Sequence, residues 1–207
     1  MNKINYQKEL DRVIEQNQKA GIVPSLLLHV CCAPCSSYCL EYLSNYFDIT
    51  VYYYNPNISI KEEYEYRLSE EKRYISIKEF KHPVKLTDSE YHPEEFFAAV
   101  KGLENEPEGG LRCAECFKLR LEASAKKAKE QGFDYFTTTL TISPLKNAQL
   151  LNEIGAQMGE KYGVNWLYSD FKKREGYKRS IELSREYDLY RQNYCGCVFS
   201  KRAAAAD

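Results

Sequence analysis

The stretch Leu26-Leu27-Leu28-His29-Val30-Cys31-Cys32-Ala33-Pro34-Cys35-Ser36-Ser37 decides how the rest of the chain is read. A run of branched apolar residues stops at paired cysteines, and a proline and two serines lead into a helical pattern. That order is a buried strand, a tight turn and a helix N-terminus. In open α/β sheets, ligands collect at the carboxyl ends of the strands, near the point where strand order reverses. Helix N-terminal amides and the local dipole favour thiolate over thiol, which makes sulfur a better nucleophile and metal ligand. Three cysteines in five residues therefore point to chemistry rather than to core filling.

Outward from that turn, strands alternate with helices. A polar, amphipathic helix over residues 4–20, with Leu10, Val13 and Ile14 as its apolar positions, precedes the first strand. Tyr38, Leu40, Tyr42, Leu43 and Tyr46 mark a helix after the cysteines, with Cys39 read as core. A second strand, residues 49–54, is β-branched and aromatic and ends in the turn Asn55-Pro56-Asn57. A charged helix follows over residues 60–79, and its first two turns carry Glu62, Glu63, Tyr64 and Arg67. A functional and a solvating face fit those residues equally.

Residues 84–86 form a short third strand, and His92-Pro93 starts a helix containing Phe96, Phe97 and Val100. The loop-like residues 104–110 deliver Arg112, Cys113 and Cys116 to a helix over residues 117–131. A fourth strand covers 135–141, a helix 147–161 and a fifth strand 166–168. The alternation predicts one α/β domain over residues 1–207 with a largely parallel sheet. Its N-terminal helix occupies residues 1–23, a basic C-terminal segment residues 170–202, and a tail residues 203–207.

Twenty-nine basic against thirty acidic residues leave the chain nearly neutral, so any nucleic-acid surface has to be local. The N-terminus is polar, and no apolar run approaches the roughly 20 residues of a membrane helix. The expected compartment is the cytoplasm, with no membrane partner. Reducing conditions there disfavour structural disulfides and favour metal or redox roles for clustered cysteines. The eight cysteines fall at 31, 32, 35 and 39, at 113 and 116, and at 195 and 197. Four thiolates satisfy either a zinc or a [4Fe–4S] site, so eight favour a metal centre with thiols to spare. A disulfide between Cys195 and Cys197 would close a very small ring, which makes it a poor staple and an easily reduced two-electron carrier. From Asp170 to Arg202, nine basic residues face five acidic ones, interleaved with Tyr177, Tyr187, Tyr190 and Tyr194. That composition suits phosphate contact with base stacking; an ion-paired solvated helix accounts for it better on composition alone, and the adjoining Tyr194-Cys195-Gly196-Cys197 is what tips the reading toward function.

Six stretches carry a resemblance to a known family. They are Leu28-His29-Val30-Cys31-Cys32-Ala33-Pro34, Tyr54-Asn55-Pro56-Asn57-Ile58, Arg112-Cys113-x-x-Cys116-Phe117-x-x-Arg120-Leu121, Phe136 through Pro144, Asp170-Phe171-Lys172-Lys173-x-x-Gly176-Tyr177-x-x-Ser180, and Tyr190-Arg191-Gln192-x-Tyr194-Cys195-Gly196-Cys197. In these the chain resembles the QueH-type epoxyqueuosine reductases. The resemblance implies a reductase for the last step of queuosine formation in tRNA, removing the epoxide oxygen of epoxyqueuosine. It also implies a nucleotide-binding-like fold related to adenine-nucleotide hydrolases, although cysteines stand where their phosphate-binding Ser-Gly-Gly would be. Cys31, Cys32, Cys113 and Cys116 are then the expected ligands of a [4Fe–4S] cluster, Cys35 the candidate ligand of an additional iron ion, and Cys195 and Cys197 the catalytic redox pair. The residues alone leave this division open among Cys32, Cys35 and one of the C-terminal pair.

The expected partners are tRNA carrying epoxyqueuosine and an external electron donor. Asn55, Tyr64, Arg67, Arg112, Lys172, Lys173, Lys178 and Arg179 are candidates for substrate or tRNA contact, and Tyr64, Tyr194 or Asp170 for the proton donor. Two rivals are an iron–sulfur tRNA sulfur-transfer enzyme, which needs a phosphate-cradling loop, and a non-catalytic zinc-binding RNA module.

Overall fold

The computed structural model describes residues 4–88 and 90–204. A five-stranded, all-parallel sheet runs through the middle in the order β3-β2-β1-β4-β5. Its strands are β1 (Ser25–His29), β2 (Asp48–Tyr53), β3 (Lys85–Asp88), β4 (Tyr135–Thr138) and β5 (Asn165–Trp166). The order reverses between β1 and β4, so the turn after β1 lies at the topological switch point where such sheets bind ligands.

Side chains alternate across the sheet with period two. Leu26, Leu28, Val51 and Tyr53 face a core shared with α2 (Ala33–Leu43) and α3 (Lys61–Ile77). Leu27, Tyr52 and Phe136 face the opposite core, built with α5 (Leu111–Gln131) and α6 (Ala148–Tyr162). Gly155 allows the close approach there, since a Cβ would meet the Trp166 indole at 2.3 Å. The remaining helices are α1 (Tyr6–Lys19), α4 (Pro93–Ala99), α7 (Gly176–Glu186) and α8 (Val198–Ala204). The basic C-terminal segment holds two helices joined by the loop 187–197, with α7 laid along α2. Residues 205–207 of the expected tail lie outside the described residues.

Three boundaries depart from the sequence expectation. β4 stops at Thr138, whose side chain accepts from the Leu140 amide and turns the next four residues into a 3₁₀ helix, Thr139–Ile142. β5 is shorter than expected, covering Asn165 and Trp166 only. α5 starts at Leu111 rather than at 117, because the Glu106 carboxylate reaches forward to accept from the Leu111 amide. Cys113 and Cys116 consequently lie within the first two turns of the helix.

Candidate active site

Two helix starts and one loop supply the sulfur. Cys32 caps α2 with extended backbone, and its carbonyl accepts from the Cys35 and Ser36 amides. Cys31 and Cys32 bring their sulfurs to 3.6 Å. With Cys35, they form the one group of three metal-ligating side chains found among the described residues, all within 4.8 Å. Hydrogen bonds from Cys32 and Cys35 hold Cys31 well below the usual thiol range. Its neighbours bear the reverse effect: Cys32 is pushed up to about 12 and Cys35 well above its ordinary value. Cys39 is buried in the core, as expected, and donates to the Cys35 carbonyl.

At the start of α5, the Gly109 amide donates to Cys113 Sγ at 3.2 Å. Burial pushes Cys116 up to about 11. The third patch repeats the asymmetry of the first. Cys195 and Cys197 hold their sulfurs 3.6 Å apart, and the hydrogen bond between them lowers Cys195 well below the thiol range while Cys197 rises. Ser200 Oγ lies 3.1 Å from Cys195 Sγ.

All three patches meet at adjoining cavities. The larger, about 470 Å³, is lined by Cys31, Cys32 and Cys35 on one side and by Arg191, Asn193 and Tyr194 on the other. The smaller, about 40 Å³, is lined by Cys113, Cys116 and Cys197. Glu108, Arg120, Leu145, Lys146 and Cys195 belong to both walls. One thiol of the C-terminal pair therefore faces both compartments.

The charge pattern suits an anionic sulfur centre. Arg120 is buried; its Nη1 donates to Asn55 Oδ1, and its Nε has no partner. Burial opposes the charge of Lys146, yet Cys31, Cys35 and Cys195 together hold its pKa above the ordinary lysine value. Buried Arg120 and half-buried Lys146 set cations beside soft donors, which is what thiolates binding a metal require, since an unpaired buried charge is costly. The residues present fit an iron–sulfur or related thiolate-bound metal centre.

His29 packs beneath this turn as a neutral imidazole, held down to about 3 by burial and by Arg120. Its Nε2–H donates to the Tyr54 carbonyl, so Nδ1 accepts from the Thr138 hydroxyl.

The candidate substrate contacts divide into three groups. Asn55, Tyr64, Arg67 and Arg112 are buried, and they are tied into the protein. Asn55 donates to the Val30 carbonyl, and the Tyr64 ring packs on Tyr53 and Tyr91. Arg112 binds the Glu104 and Glu106 carbonyls and stacks over Phe199. Lys172 pairs with Asp170, and Arg179 with Glu41, Glu182 and Glu186. Lys173 and Lys178 are exposed, with Lys178 3.5 Å from the exposed Glu175 carboxylate. Among the candidate proton donors, Tyr194 lines the larger cavity, Tyr64 is buried and Asp170 carries its Lys172 partner.

Sequence reading missed Glu108, Arg120 and Lys146 as site residues. Arg120 was legible in principle, lying four and seven residues after Cys116 and Cys113 on one helix face. Lys146 follows the carboxyl end of β4, where the switch-point rule would have directed attention.

A family model described as "Epoxyqueuosine reductase QueH" matches residues 26–203. Curated relatives bearing that name include a Staphylococcus epidermidis protein, 48% identical over 99% of this chain and 88% of its own length. One from Streptococcus pyogenes is 47% identical, covering 99% of this chain and 81% of the relative. One from Thermotoga maritima is 39% identical, covering 85% of this chain and 90% of the relative.

Proposed function

The chain belongs to the epoxyqueuosine reductase QueH family, and from that membership we propose that it is an oxidoreductase converting epoxyqueuosine to queuosine in tRNA. The single observation that carries the chemistry is the meeting of Cys31, Cys32 and Cys35 with Cys113, Cys116 and Cys197 around walls that share Cys195. Removing an epoxide oxygen to leave an alkene takes two electrons and two protons and releases water. Two thiols becoming one disulfide supply that count. Cys195 and Cys197 form this couple, and an external donor reduces it again. Cys195, lowered by the Cys197 hydrogen bond, is the better nucleophile of the two.

Cys31, Cys32, Cys113 and Cys116 would hold a [4Fe–4S] cluster, with Cys35 holding an additional iron ion. When bound, that iron would supply a Lewis acid for the epoxide oxygen and a path for single electrons. A second division is favoured by one observation: Cys31, Cys32 and Cys35 lie within 4.8 Å of one another, as three ligands of one centre do. Lys146 and Arg120 offset the thiolate charge, while Tyr194 stands ready on the cavity wall to protonate the departing oxygen. A cavity of about 470 Å³ admits a nucleoside and not a folded RNA, so the modified nucleotide enters extended from its loop. Lys173 and Lys178, on the exposed part of the basic segment, face the phosphates outside. Among the described residues no helix is long and apolar enough to cross a membrane, and a tRNA substrate belongs with a cytoplasmic enzyme.

Anaerobic purification with iron and sulfide quantitation, followed by single-turnover assay, tests the reading. Cys113→Ala should lose bound iron and turnover together, and full iron with full activity would remove its ligand role. Cys35→Ala discriminates the two divisions, losing one iron per chain under the first and the whole cluster under the second. A colourless protein filled with zinc would favour the RNA-binding module instead.

A further inference from the structure

Arg67 is 1% exposed, yet its charge is placed against a loop more than a hundred residues away. From α3, its Nε donates to Glu63 Oε1 at 2.7 Å. Its Nη1 donates to the Cys195 carbonyl at 3.2 Å and its Nη2 to the Tyr194 carbonyl at 3.5 Å. The guanidinium also lies over the Tyr194 ring, 5.2 Å from its centroid. The turn after β2 completes the grip: Asn57 Nδ2 donates to the same Cys195 carbonyl, and the Ser59 amide donates to the Gly196 carbonyl. Three successive carbonyls, 194 to 196, are thus held by donors from the β2–α3 region.

We propose that Arg67 is the positioning residue of the Cys195–Cys197 couple, fixing the loop so that the two sulfurs adjoin and Cys195 faces both cavities. The proposal rests on the reading of that pair as the two-electron carrier. Arginine is suited to the task because its rigid fork spans two carbonyls at once, whereas a lysine ammonium is a compact point charge. Its burial excludes direct contact with a substrate in the cavity, so its effect passes through the loop. Gly196 is held at φ +111° in the middle of this grip, and a Cβ there would meet Ile58 Cγ1 at 2.8 Å and Arg67 Nη1 at 3.2 Å. No side chain competes with the guanidinium for that space.

The test compares Arg67→Met, Arg67→Lys and Asn57→Ala in the iron-loaded full chain. Readouts are iron content, kcat and KM on tRNA bearing epoxyqueuosine, and the dithiol–disulfide equilibrium of the pair measured by thiol trapping and mass spectrometry. Arg67→Met should keep iron and KM near wild type, lower kcat about tenfold or more, and shift the thiol equilibrium about tenfold, ~30 mV for this couple. Arg67→Lys should restore part of both. Should Arg67→Met fail to fold, Asn57→Ala decides the matter, because it leaves the Arg67–Glu63 pair intact and should move both readouts the same way by a smaller factor. Unchanged kcat and equilibrium in the folded variants would overturn the positioning role. Cys195→Ser and Cys197→Ser separate the two claims: full turnover in them sinks the carrier reading itself, while dead serine variants beside an unaffected Arg67→Met sink only the role of Arg67.

Discussion

The turn after β1 and the loop before α8 both place adjacent thiols 3.6 Å apart, one lowered and its neighbour raised, but they are anchored in opposite ways. Cys31 and Cys32 follow Val30 out of a central strand buried from Leu26 onward and lead into a helix, so the main chain of the sheet itself sets their positions. Cys195 and Cys197 belong to no strand; side chains of another segment grip the Cys195 carbonyl and an amide grips that of Gly196, while the Cys197 carbonyl accepts from the start of α8. Sulfur seated on a sheet suits ligands that must not move, and sulfur held by exchangeable polar bonds suits a couple that changes geometry each time it is oxidised.

The largest effects should separate the two anchorages outright. Cys32→Ala should cost bound iron and activity together, whereas Cys197→Ser should keep the iron and lose roughly a thousandfold or more in turnover. Iron quantitation beside a single-turnover assay reads the difference, and iron loss in Cys197→Ser would merge the two regions into one centre. Next in size is Gly196→Ala, which places a Cβ at positive φ against Ile58. It should cost about 1–3 kcal/mol of local order and slow turnover with iron intact; the equivalent insult has no counterpart in the sheet-borne turn.

A third effect belongs to the support of the first region alone. Glu71 is fully buried, donated to by Ser36 Oγ at 2.8 Å, and pushed up to about 8 by burial. Its carboxyl stays protonated in the fold across a range where the unfolded chain has already released the proton. Stability is therefore lost as pH rises from about 4.5 to about 8, at ~1.4 kcal/mol per unit at most. Glu71→Gln should remove that slope from denaturant midpoints measured on the metal-free chain; an unchanged slope would mean that the carboxyl ionises in the fold. Smallest should be Lys173→Ala and Lys178→Ala, each reducing the salt slope of tRNA binding by roughly one with no change in iron or in the thiol equilibrium.

Much of the first region was legible before any coordinates, because a buried strand, a turn and a helix start each leave a local signature at Leu26 through Ser37. Cys39 as core and the alternation of β and α followed from spacing in the same way. The second region stood out only as a motif: Cys-Gly-Cys carries the proposed redox couple, but nothing local says which elements hold it. Asn55, Tyr64, Arg67 and Arg112 stood out as polar groups near strand ends, and their burial against the protein's own carbonyls depends on packing across the whole chain. The start of α5 was set by Glu106 reaching from the preceding loop, which periodicity does not register. Lys146 and Glu108 reach the site from loops whose paths the spacing leaves undetermined.

The scatter of the sulfurs along the chain also dictates a timetable. At ribosomal speeds of ~5–20 residues per second, Cys197 leaves the exit tunnel several seconds after Cys113 and later still than Cys31. On the proposed division the nascent chain until then carries every cluster ligand and lacks the thiol couple, so iron loading and turnover separate in time. Pulse-labelled chains stalled short of Tyr194 should acquire iron and yet turn over nothing.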